Sequence, residues 1–256
     1  MVSALTDPVV PVAKLLDFAG QTVVVTGASG GIGRAVAQRF ADAGATVVSH
    51  WRTTKPDPAG RKGLDFQGDL SLIATAEDLA QFAVEQTGRL DVWINNAALQ
   101  PVSSFLELDA EAERLVVDTN IGFVMRGTRA AAKRVGPSGL AIVNIASIEG
   151  LVPATGHSHY GAAKAAIVHH TKATAAELGS LGVRVNAVAP GLIDRPGLQD
   201  DWPSGVNRWT AAAPLQRLGT GTDVADACLF LGSAAARWIT GATLVVDGGM
   251  LTVSPW

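Results

Sequence analysis

The two residues best suited to acid–base chemistry are Tyr160 and Lys164, whose four-residue spacing places both side chains on one face of a helix. An ammonium near a phenol favours the phenolate and can lower the pKa of the phenol by roughly 1 to 3 units from about 10. Tyr160 is the only tyrosine in the chain. We predict that it acts as a general acid or base toward an alcohol or carbonyl oxygen.

Ser147 precedes Tyr160 by thirteen residues and follows a short apolar segment that we predict to be a strand. A serine at the carboxyl end of a parallel strand faces the crevice where α/β sheets bind ligands. Its hydroxyl can therefore hydrogen-bond the same substrate oxygen and polarise it. Taken singly, such a tyrosine, lysine or serine is most often a packing, surface or turn residue, so the prediction depends on their combination.

A glycine-rich turn runs from Thr26 to Gly33, between a β-branched segment and an amphipathic one. At such a turn the missing side chains let a diphosphate approach the backbone, and the helix N-terminus supplies N–H donors. The alternative is that the glycines serve only a tight turn and close packing. The spacing Gly-x-x-x-Gly-x-Gly from Gly27 to Gly33 differs from the commoner Gly-x-Gly-x-x-Gly fingerprint. We predict a nucleotide site here.

Short apolar segments alternate with helical ones along the chain, which is typical of a parallel sheet with helices on both faces. We predict strands at 22–26, 46–49, 90–95, 140–145, 183–188 and 243–246. We predict helices at 32–43, 79–86, 110–135, 160–179 and 223–235. The predicted fold class is α/β, a single-domain Rossmann-like doubly wound parallel sheet of about seven strands.

One catalytic domain is predicted over residues 19–256, and residues 1–18 are predicted to be an N-terminal extension that rests on the surface. Pro56 and Pro58 exclude an ordinary helix from the crossover at 52–63. A long insert at 190–219 contains Gly, Pro and Trp and is long enough to cover a site. We place the substrate cover at about 192–212.

Composition excludes several classes of protein. The chain has 256 residues, of which 48% are hydrophobic and 17% charged, and its net charge of −3 offers no broad positive field to nucleic acid or a membrane surface. The single cysteine, Cys228, excludes an intramolecular disulfide and a thiolate metal cluster. The first residues lack the pattern expected of a secretory signal, and no apolar run is long enough to span a membrane. We expect a cytoplasmic protein.

The chain resembles the short-chain dehydrogenase/reductase family over nearly its whole length. The resemblance is carried by the glycine turn, the tetrapeptide Asn95-Asn96-Ala97-Ala98, the Ser147 to Tyr160 spacing and Tyr160-x-x-x-Lys164. It implies hydride transfer between a nicotinamide cofactor and a secondary alcohol or ketone. It also implies that Asn120 holds a water linking Lys164 to solvent, and that Lys164 bonds the nicotinamide ribose. The alternatives are a nucleotide-sensing regulatory or scaffold protein without turnover, and an isomerase or dehydratase.

The resemblance also implies a cofactor site. Asp69 matches an adenine-contacting residue, and the segment Pro190-Gly191-Leu192-Ile193 matches the loop that meets the carboxamide. Relatives commonly place a threonine where this chain has Arg195, which we expect to reach the diphosphate or an anionic substrate; Ala98 replaces a more frequent glycine. The predicted cofactor-binding residues are Gly27, Ser29, Gly31, Ile32, Gly33, Arg52, Asp69, Leu70, Asn95, Ala97, Tyr160, Lys164, Pro190, Gly191 and Ile193.

The end of the second strand favours NADP over NAD. An acid there would bond the ribose 2′-hydroxyl of NAD, whereas a cation would accept the 2′-phosphate of NADP. The segment from Val48 to Arg52 has no carboxylate, and Arg52, with Lys55 or His50, is the predicted phosphate partner. Gly30 stands where many NADP-dependent relatives carry Lys or Arg, which keeps NAD as the alternative.

The substrate is predicted to contact residues from three loops and the cover. Their mixture of Glu, Gln and His hints at a hydroxylated substrate such as a sugar or polyol. No spacing fixes three metal ligands on one element, so no metal site is predicted at His157, His159 and Glu149. Ala-rich helices and the resemblance together point to a homotetramer, or otherwise a dimer. The predicted substrate residues are Leu99, Gln100, Glu149, His157 and Leu192.

Overall fold

The central sheet has seven parallel strands within the part of the chain that the computed structural model describes, residues 9–56 and 63–253. They are β1 (Thr22–Val25), β2 (Thr46–Trp51), β3 (Gly63–Gln67), β4 (Val92–Asn95), β5 (Leu140–Ile145), β6 (Val183–Pro190) and β7 (Thr243–Val246). Their order across the sheet is β3-β2-β1-β4-β5-β6-β7. The predicted fold class is confirmed.

Helices cover both faces of the sheet. They are α1 (Gly31–Asp42), α2 (Thr75–Thr87), α3 (Ala110–Val117), α4 (Phe123–Ala132), α5 (Ser158–Leu178), α6 (Leu198–Asp201), α7 (Pro203–Ala212) and α8 (Gly221–Gly232). None of the helices described is long and apolar enough to cross a membrane.

Adjacent residues of the buried strands point to opposite faces, and each face has its own core. Val23 and Val25 lie in a cluster with Phe40 of α1 and Cys228 of α8, while Val24 lies in a cluster with residues of α2 and α4. This explains why β1 is buried at every position and is apolar from Val23 to Val25, since a strand covered on both sides has no polar face.

The boundary of the predicted N-terminal extension differs in one detail. Phe18 is 1% exposed and packs edge-to-face on Phe40, with ring centroids 4.9 Å apart, so the last residue of that segment belongs to the core. The rest of the described extension, residues 9–17, is mostly exposed; residues 1–8 lie outside the described part of the chain.

Strand β3 was not among the six segments predicted from apolar runs. Its burial alternates, with Gly63, Asp65 and Gln67 exposed and Leu64 and Phe66 half-buried, because it forms the edge of the sheet. An edge strand needs only one apolar face, so its sequence lacks the continuous apolar run of the central strands. Part of the crossover that precedes it, residues 57–62, lies outside the described residues.

The single helix predicted over residues 110–135 is interrupted. A π-helical turn, Asp118–Gly122, separates α3 from α4, and α4 ends at Ala132. Such turns have i→i+5 hydrogen bonds, here from Phe123 N–H to the Asp118 carbonyl, and they are frequent at functional sites. Asn120 lies in the middle of this turn.

A buried polar network crosses one face of the sheet. The Asn95 carboxamide accepts from Trp93 Nε1 at 2.7 Å and donates to Asn144 Oδ1 at 2.8 Å. Asn144 Nδ2 in turn donates to Thr171 Oγ1 at 2.9 Å, and that hydroxyl donates to the Ile167 carbonyl. Because these groups are buried and hydrogen-bonded, the network ties β4, β5 and α5 together rather than weakening the core.

Replacing Asn144, which is 0% exposed, should therefore destabilise the fold. Asn144→Ala removes a donor and an acceptor and opens a small cavity, so we expect the free energy of unfolding to fall by about 2–4 kcal/mol. Urea unfolding would measure this, with Asn207→Ala on the exposed side of α7 as the matched control. Equal stability of the two variants would contradict the structural role of the network.

Candidate active site

The topology creates a crevice between β1 and β4. Strand β1 pairs with β2 on one side and β4 on the other, so the chain leaves the carboxyl ends of β1 and β4 in opposite directions. This is the switch point at which open α/β sheets bind ligands. The glycine turn follows β1, and the Asn96 to Ala98 segment follows β4.

The glycine turn has the shape that a diphosphate needs. Gly27 and Gly31 have φ angles of +66° and +52°, which favour glycine. A Cβ on Gly33 would overlap the Gly27 carbonyl oxygen, so α1 packs directly on the turn. A Cβ on Gly30 or Gly31 would meet nothing within 4 Å, which leaves an open approach to the start of α1. These residues fit a dinucleotide.

Asn96, which we did not predict as a site residue, supports this turn from below. Its Nδ2 donates to the carbonyls of Thr26 and Gly27 at 2.9 and 3.1 Å. Thr26 Oγ1 accepts from the backbone N–H groups of Asn96 and Ala97 at 2.9 and 3.1 Å. The signal was present in the Asn-Asn-Ala-Ala tetrapeptide, but sequence could not show which asparagine faces the turn.

The Asn95 side chain does not face the crevice, so the predicted contact of this residue with the cofactor would have to use its backbone. Asn95 is 4% exposed, and its carboxamide is occupied by Trp93, Thr128 and Asn144 inside the protein. It lies one residue before Asn96, on the other side of the strand, and side chains alternate between the two faces.

Two of the three residues predicted to bind the 2′-phosphate, His50 and Lys55, have partners within the protein. His50 is 2% exposed; its Nδ1 accepts from Gly27 N–H at 3.2 Å and its Nε2 donates to the Gly68 carbonyl at 3.0 Å. Burial lowers the pKa of His50, so it is neutral and serves as a link between the glycine turn and β3. Lys55 pairs with Asp65 at 3.4 Å.

Arg52 is exposed at the carboxyl end of β2. No hydrogen bond or ion pair among the described residues occupies its guanidinium.

Ser71 N–H donates to Asp69 Oδ1 at 2.9 Å, and this bond, with a smaller contribution from Arg52, holds the pKa of Asp69 below its usual value. Ser29 Oγ donates to the Thr54 carbonyl, so the glycine turn and the loop after β2 are joined.

Ser147, Tyr160 and Lys164 lie together, and two glycines explain how. A Cβ on Gly150 would lie 2.7 Å from the Lys164 carbonyl carbon, and one on Gly161 would lie 2.9 Å from the Glu149 carbonyl oxygen. The turn that begins at Ser147 therefore packs directly on the backbone of α5.

Without cofactor, the pKa of Tyr160 is not lowered. Burial raises the pKa of Tyr160 to about 12, although a hydrogen bond with Ser147 opposes this. Burial also lowers the pKa of Lys164 to about 7. The Lys164 Nζ lies 5.5 Å from the centroid of the Tyr160 ring and donates to the Ile145 carbonyl at 2.7 Å, so its hydrogen bond goes to the backbone.

Asn120 is 0% exposed and directs its carboxamide at Leu99. Its Oδ1 accepts from Leu99 N–H at 3.0 Å and its Nδ2 donates to the Leu99 carbonyl at 2.8 Å. The side chain thus fixes the loop that follows β4, beside the crevice. A water linked to Asn120, as the resemblance implies, would have to use its backbone carbonyl.

The predicted substrate residues Gln100, Glu149 and His157 form a hydrogen-bonded cluster. Gln100 Nε2 donates to Glu149 Oε1 at 3.2 Å, and His157 Nδ1 lies 2.8 Å from Glu149 Oε2. The His157 and Tyr160 rings meet edge-to-face with centroids 6.0 Å apart. No group of three or more His, Cys, Asp or Glu side chains within residues 9–56 and 63–253 is placed to hold a metal ion.

The predicted cover begins where β6 ends. A Cβ on Gly191 would lie 2.7 Å from the Trp209 ring, so α7 packs on this loop. Leu192 and Gly219 are joined by a 3.0 Å backbone hydrogen bond, which ties the two ends of the insert together. Arg195 pairs with Asp201 at 2.8 Å, so contact with a diphosphate or anionic substrate requires that this ion pair break.

Comparison with known proteins decides the family. Residues 27–251 match a family model described as enoyl-(acyl carrier protein) reductase. The chain is also 37% identical over 246 residues to L-rhamnose 1-dehydrogenase (NAD(P)(+)) of Azotobacter vinelandii, covering 90% of this chain and 96% of that protein. The chain belongs to the short-chain dehydrogenase/reductase family.

Two further proteins are similar to this short-chain dehydrogenase/reductase. A 3-oxoacyl-(acyl-carrier-protein) reductase of Chlamydia muridarum is 37% identical over 245 residues, covering 90% of this chain and 97% of that protein. The solved structure of an aldohexose dehydrogenase of Thermoplasma acidophilum has a TM-score of 0.86 at 29% identity and covers 94% of this chain and 97% of that one.

This short-chain dehydrogenase/reductase is therefore an oxidoreductase that interconverts a secondary alcohol and a carbonyl compound with a nicotinamide cofactor. Its substrate is a small molecule. The names of its relatives differ in substrate, so the substrate class depends on this chain's own residues.

Proposed function

We propose that Tyr160 is the general acid or base of this reaction, that Ser147 orients the substrate oxygen, and that Lys164 and Asn120 complete the catalytic group. The observation that carries the proposal is the packing of the turn that begins at Ser147, at the carboxyl end of β5, on α5, with Lys164 Nζ 5.5 Å from the Tyr160 ring centroid. Ser147 and Tyr160 are both 7% exposed, so their hydroxyls act in a nearly dry site.

In the oxidation direction, Tyr160 Oη takes the proton of the substrate hydroxyl as the hydrogen on the same carbon leaves as hydride. In the reduction direction, Tyr160 returns that proton to the carbonyl oxygen. Ser147 Oγ hydrogen-bonds the same oxygen and stabilises the charge that develops on it. When bound, the nicotinamide supplies the hydride acceptor or donor. Lys164, fully buried below the Tyr160 ring, supplies a positive charge when protonated, which favours the phenolate.

The cofactor would lie along the crevice. The glycine turn would hold the diphosphate, Asp69 and Leu70 the adenine, and the segment 190–193 the nicotinamide. A screen of alcohols and ketones with both cofactors, monitored at the absorbance of reduced nicotinamide, tests the function. Cofactor binding without turnover of any compound would instead support a nucleotide sensor.

We further propose that the cofactor is NADP(H). The support is the exposed Arg52 at the end of β2, together with the absence of a carboxylate on that strand. The neutral, internally bonded His50 and the Lys55–Asp65 ion pair leave Arg52 as the cation best placed for a 2′-phosphate.

Arg52→Ala should weaken NADP binding by about tenfold or more, because a charge-assisted contact to phosphate is worth roughly 1.5–3 kcal/mol. NAD has no 2′-phosphate, so its dissociation constant should change less than twofold. Titration of tryptophan fluorescence would measure both constants. Arg237→Ala, at an exposed arginine remote from the crevice, is the control; unchanged NADP affinity in Arg52→Ala would refute the assignment.

We also propose a homotetramer, a single catalytic domain over residues 19–256 with its cover at about 192–212, and a cytoplasmic location. Exposed apolar side chains on two surfaces support the assembly: Leu115 and Met125 on α3 and α4, and Trp238, Leu244 and Val245 at the β7 edge. The location remains a prediction from the sequence.

A further inference from the structure

Glu149, His157 and Gln100 come from three different loops and meet beside Tyr160. The carboxylate of Glu149 accepts from Gln100 and contacts the His157 ring, as described above. The Glu149 and His157 side chains are only 17% exposed. Three polar groups from the loops after β4, after β5 and before α5 thus converge on the substrate side of the crevice.

One buried polar atom of this cluster, His157 Nε2, has no hydrogen-bond partner among the described residues. A carboxylate only accepts, so His157 Nδ1 carries the proton that it shares with Glu149. The Nε2 atom accepts when His157 is neutral and donates when it is protonated. Buried polar atoms are nearly always paired, so this nitrogen is suited to a ligand hydroxyl, which can both donate and accept.

The charge of Glu149 restricts that ligand further. It raises the pKa of Tyr160, which does not help the phenol act as a base. An apolar substrate would leave the carboxylate less solvated, and an anionic substrate would be repelled. A ligand with several O–H groups and no charge satisfies both the carboxylate and the unpaired nitrogen.

We propose that Glu149 and His157 form a hydroxyl-binding subsite, and that the substrate is an uncharged polyhydroxylated alcohol or its ketone. One oxygen of this substrate reacts at Tyr160, and a hydroxyl on a neighbouring carbon hydrogen-bonds His157 Nε2. Gln100 holds Glu149 in position. The inference rests on the proposed function, because it places the reacting oxygen at Tyr160.

The kinetic test compares cis-cyclohexane-1,2-diol with cyclohexanol, which differ in one hydroxyl. We expect wild type to favour the diol in kcat/KM by at least tenfold, since sites built to bond a hydroxyl reject analogues that lack it. His157→Leu and Glu149→Gln should reduce that preference by about tenfold. His169→Leu and Glu177→Gln, at exposed positions on the same helix α5, should keep it.

A binding measurement separates this inference from the proposed function. Myo-inositol is titrated into Tyr160→Phe saturated with NADP, with cyclohexanol as the comparison. Inositol binding to Tyr160→Phe, combined with no turnover of any alcohol or ketone by wild type, would overturn the function and support the subsite. Equal turnover of the diol and cyclohexanol, or a preference that survives His157→Leu, would overturn the subsite and leave the function. No inositol binding, combined with no turnover of any alcohol or ketone, would overturn both.

Discussion

Tyr160→Phe should lower kcat on the order of 10²–10⁴-fold while cofactor binding changes little. Phenylalanine keeps the ring that packs against His157, but it removes the hydroxyl that exchanges the substrate proton, and general acid–base catalysis contributes about this factor. Because the ring is retained, the fold should remain intact. Steady-state kinetics and cofactor titration on the same preparation would measure both effects.

The single tyrosine provides a direct control on this interpretation. Burial raises the pKa of Tyr160 to about 12 in the cofactor-free chain, so phenolate absorbance should appear only well above pH 10. A positively charged oxidised nicotinamide close to the phenol should lower that pKa. Tyr160→Phe supplies the baseline that subtracts the six tryptophans. A pKa that stays at 10 or above with oxidised cofactor bound would contradict the role of Tyr160 as base.

The parts of the site that sequence could predict are those confined to one short segment. The glycine turn and the Tyr160–Lys164 pair each lie on one element, where local geometry fixes which residues are neighbours. Asn95 shows the limit of this reasoning. The strand alternates faces at every residue, so sequence could place an asparagine at the crevice but not decide between Asn95 and Asn96.

Other features depend on tertiary structure that no local pattern records. The π-helical turn at Asn120 lies inside an uninterrupted helical pattern, and strand β3 becomes recognisable only through its pairing with β2. The sign of the pKa shift at Tyr160 depends on burial, which is a property of the assembled site. From spacing alone only the attraction of Lys164 was visible, and the larger effect of burial was not.

A pH-dependent effect on stability is expected from Lys164, which is 2% exposed. Burial lowers its pKa from the usual 10.5 to about 7, so the unfolded chain binds more protons than the folded chain between these values. The free-energy cost of burying this amine is therefore absent above pH 10.5. It grows as the pH falls toward 7, so the folded chain loses stability over this range. As the pH rises from 7 to 9, the free energy of unfolding of wild type should therefore increase by about 2 kcal/mol relative to that of a variant without the amine.

Lys164→Met removes this dependence and should make the cofactor-free chain more stable at pH 7, on the order of 2 kcal/mol after the lost bond to the Ile145 carbonyl is considered. Activity should fall about 100-fold or more, because methionine can neither take up the proton whose charge would favour the phenolate when cofactor is bound nor bond the nicotinamide ribose. Urea unfolding at pH 7, 8 and 9, at fixed protein concentration, would follow the change. Lys172→Met, at an exposed lysine of the same helix, should show neither effect. If Lys164→Met and wild type kept a constant stability difference across this range, the folded chain would not hold the amine at a lowered pKa, and the linkage argument would be refuted.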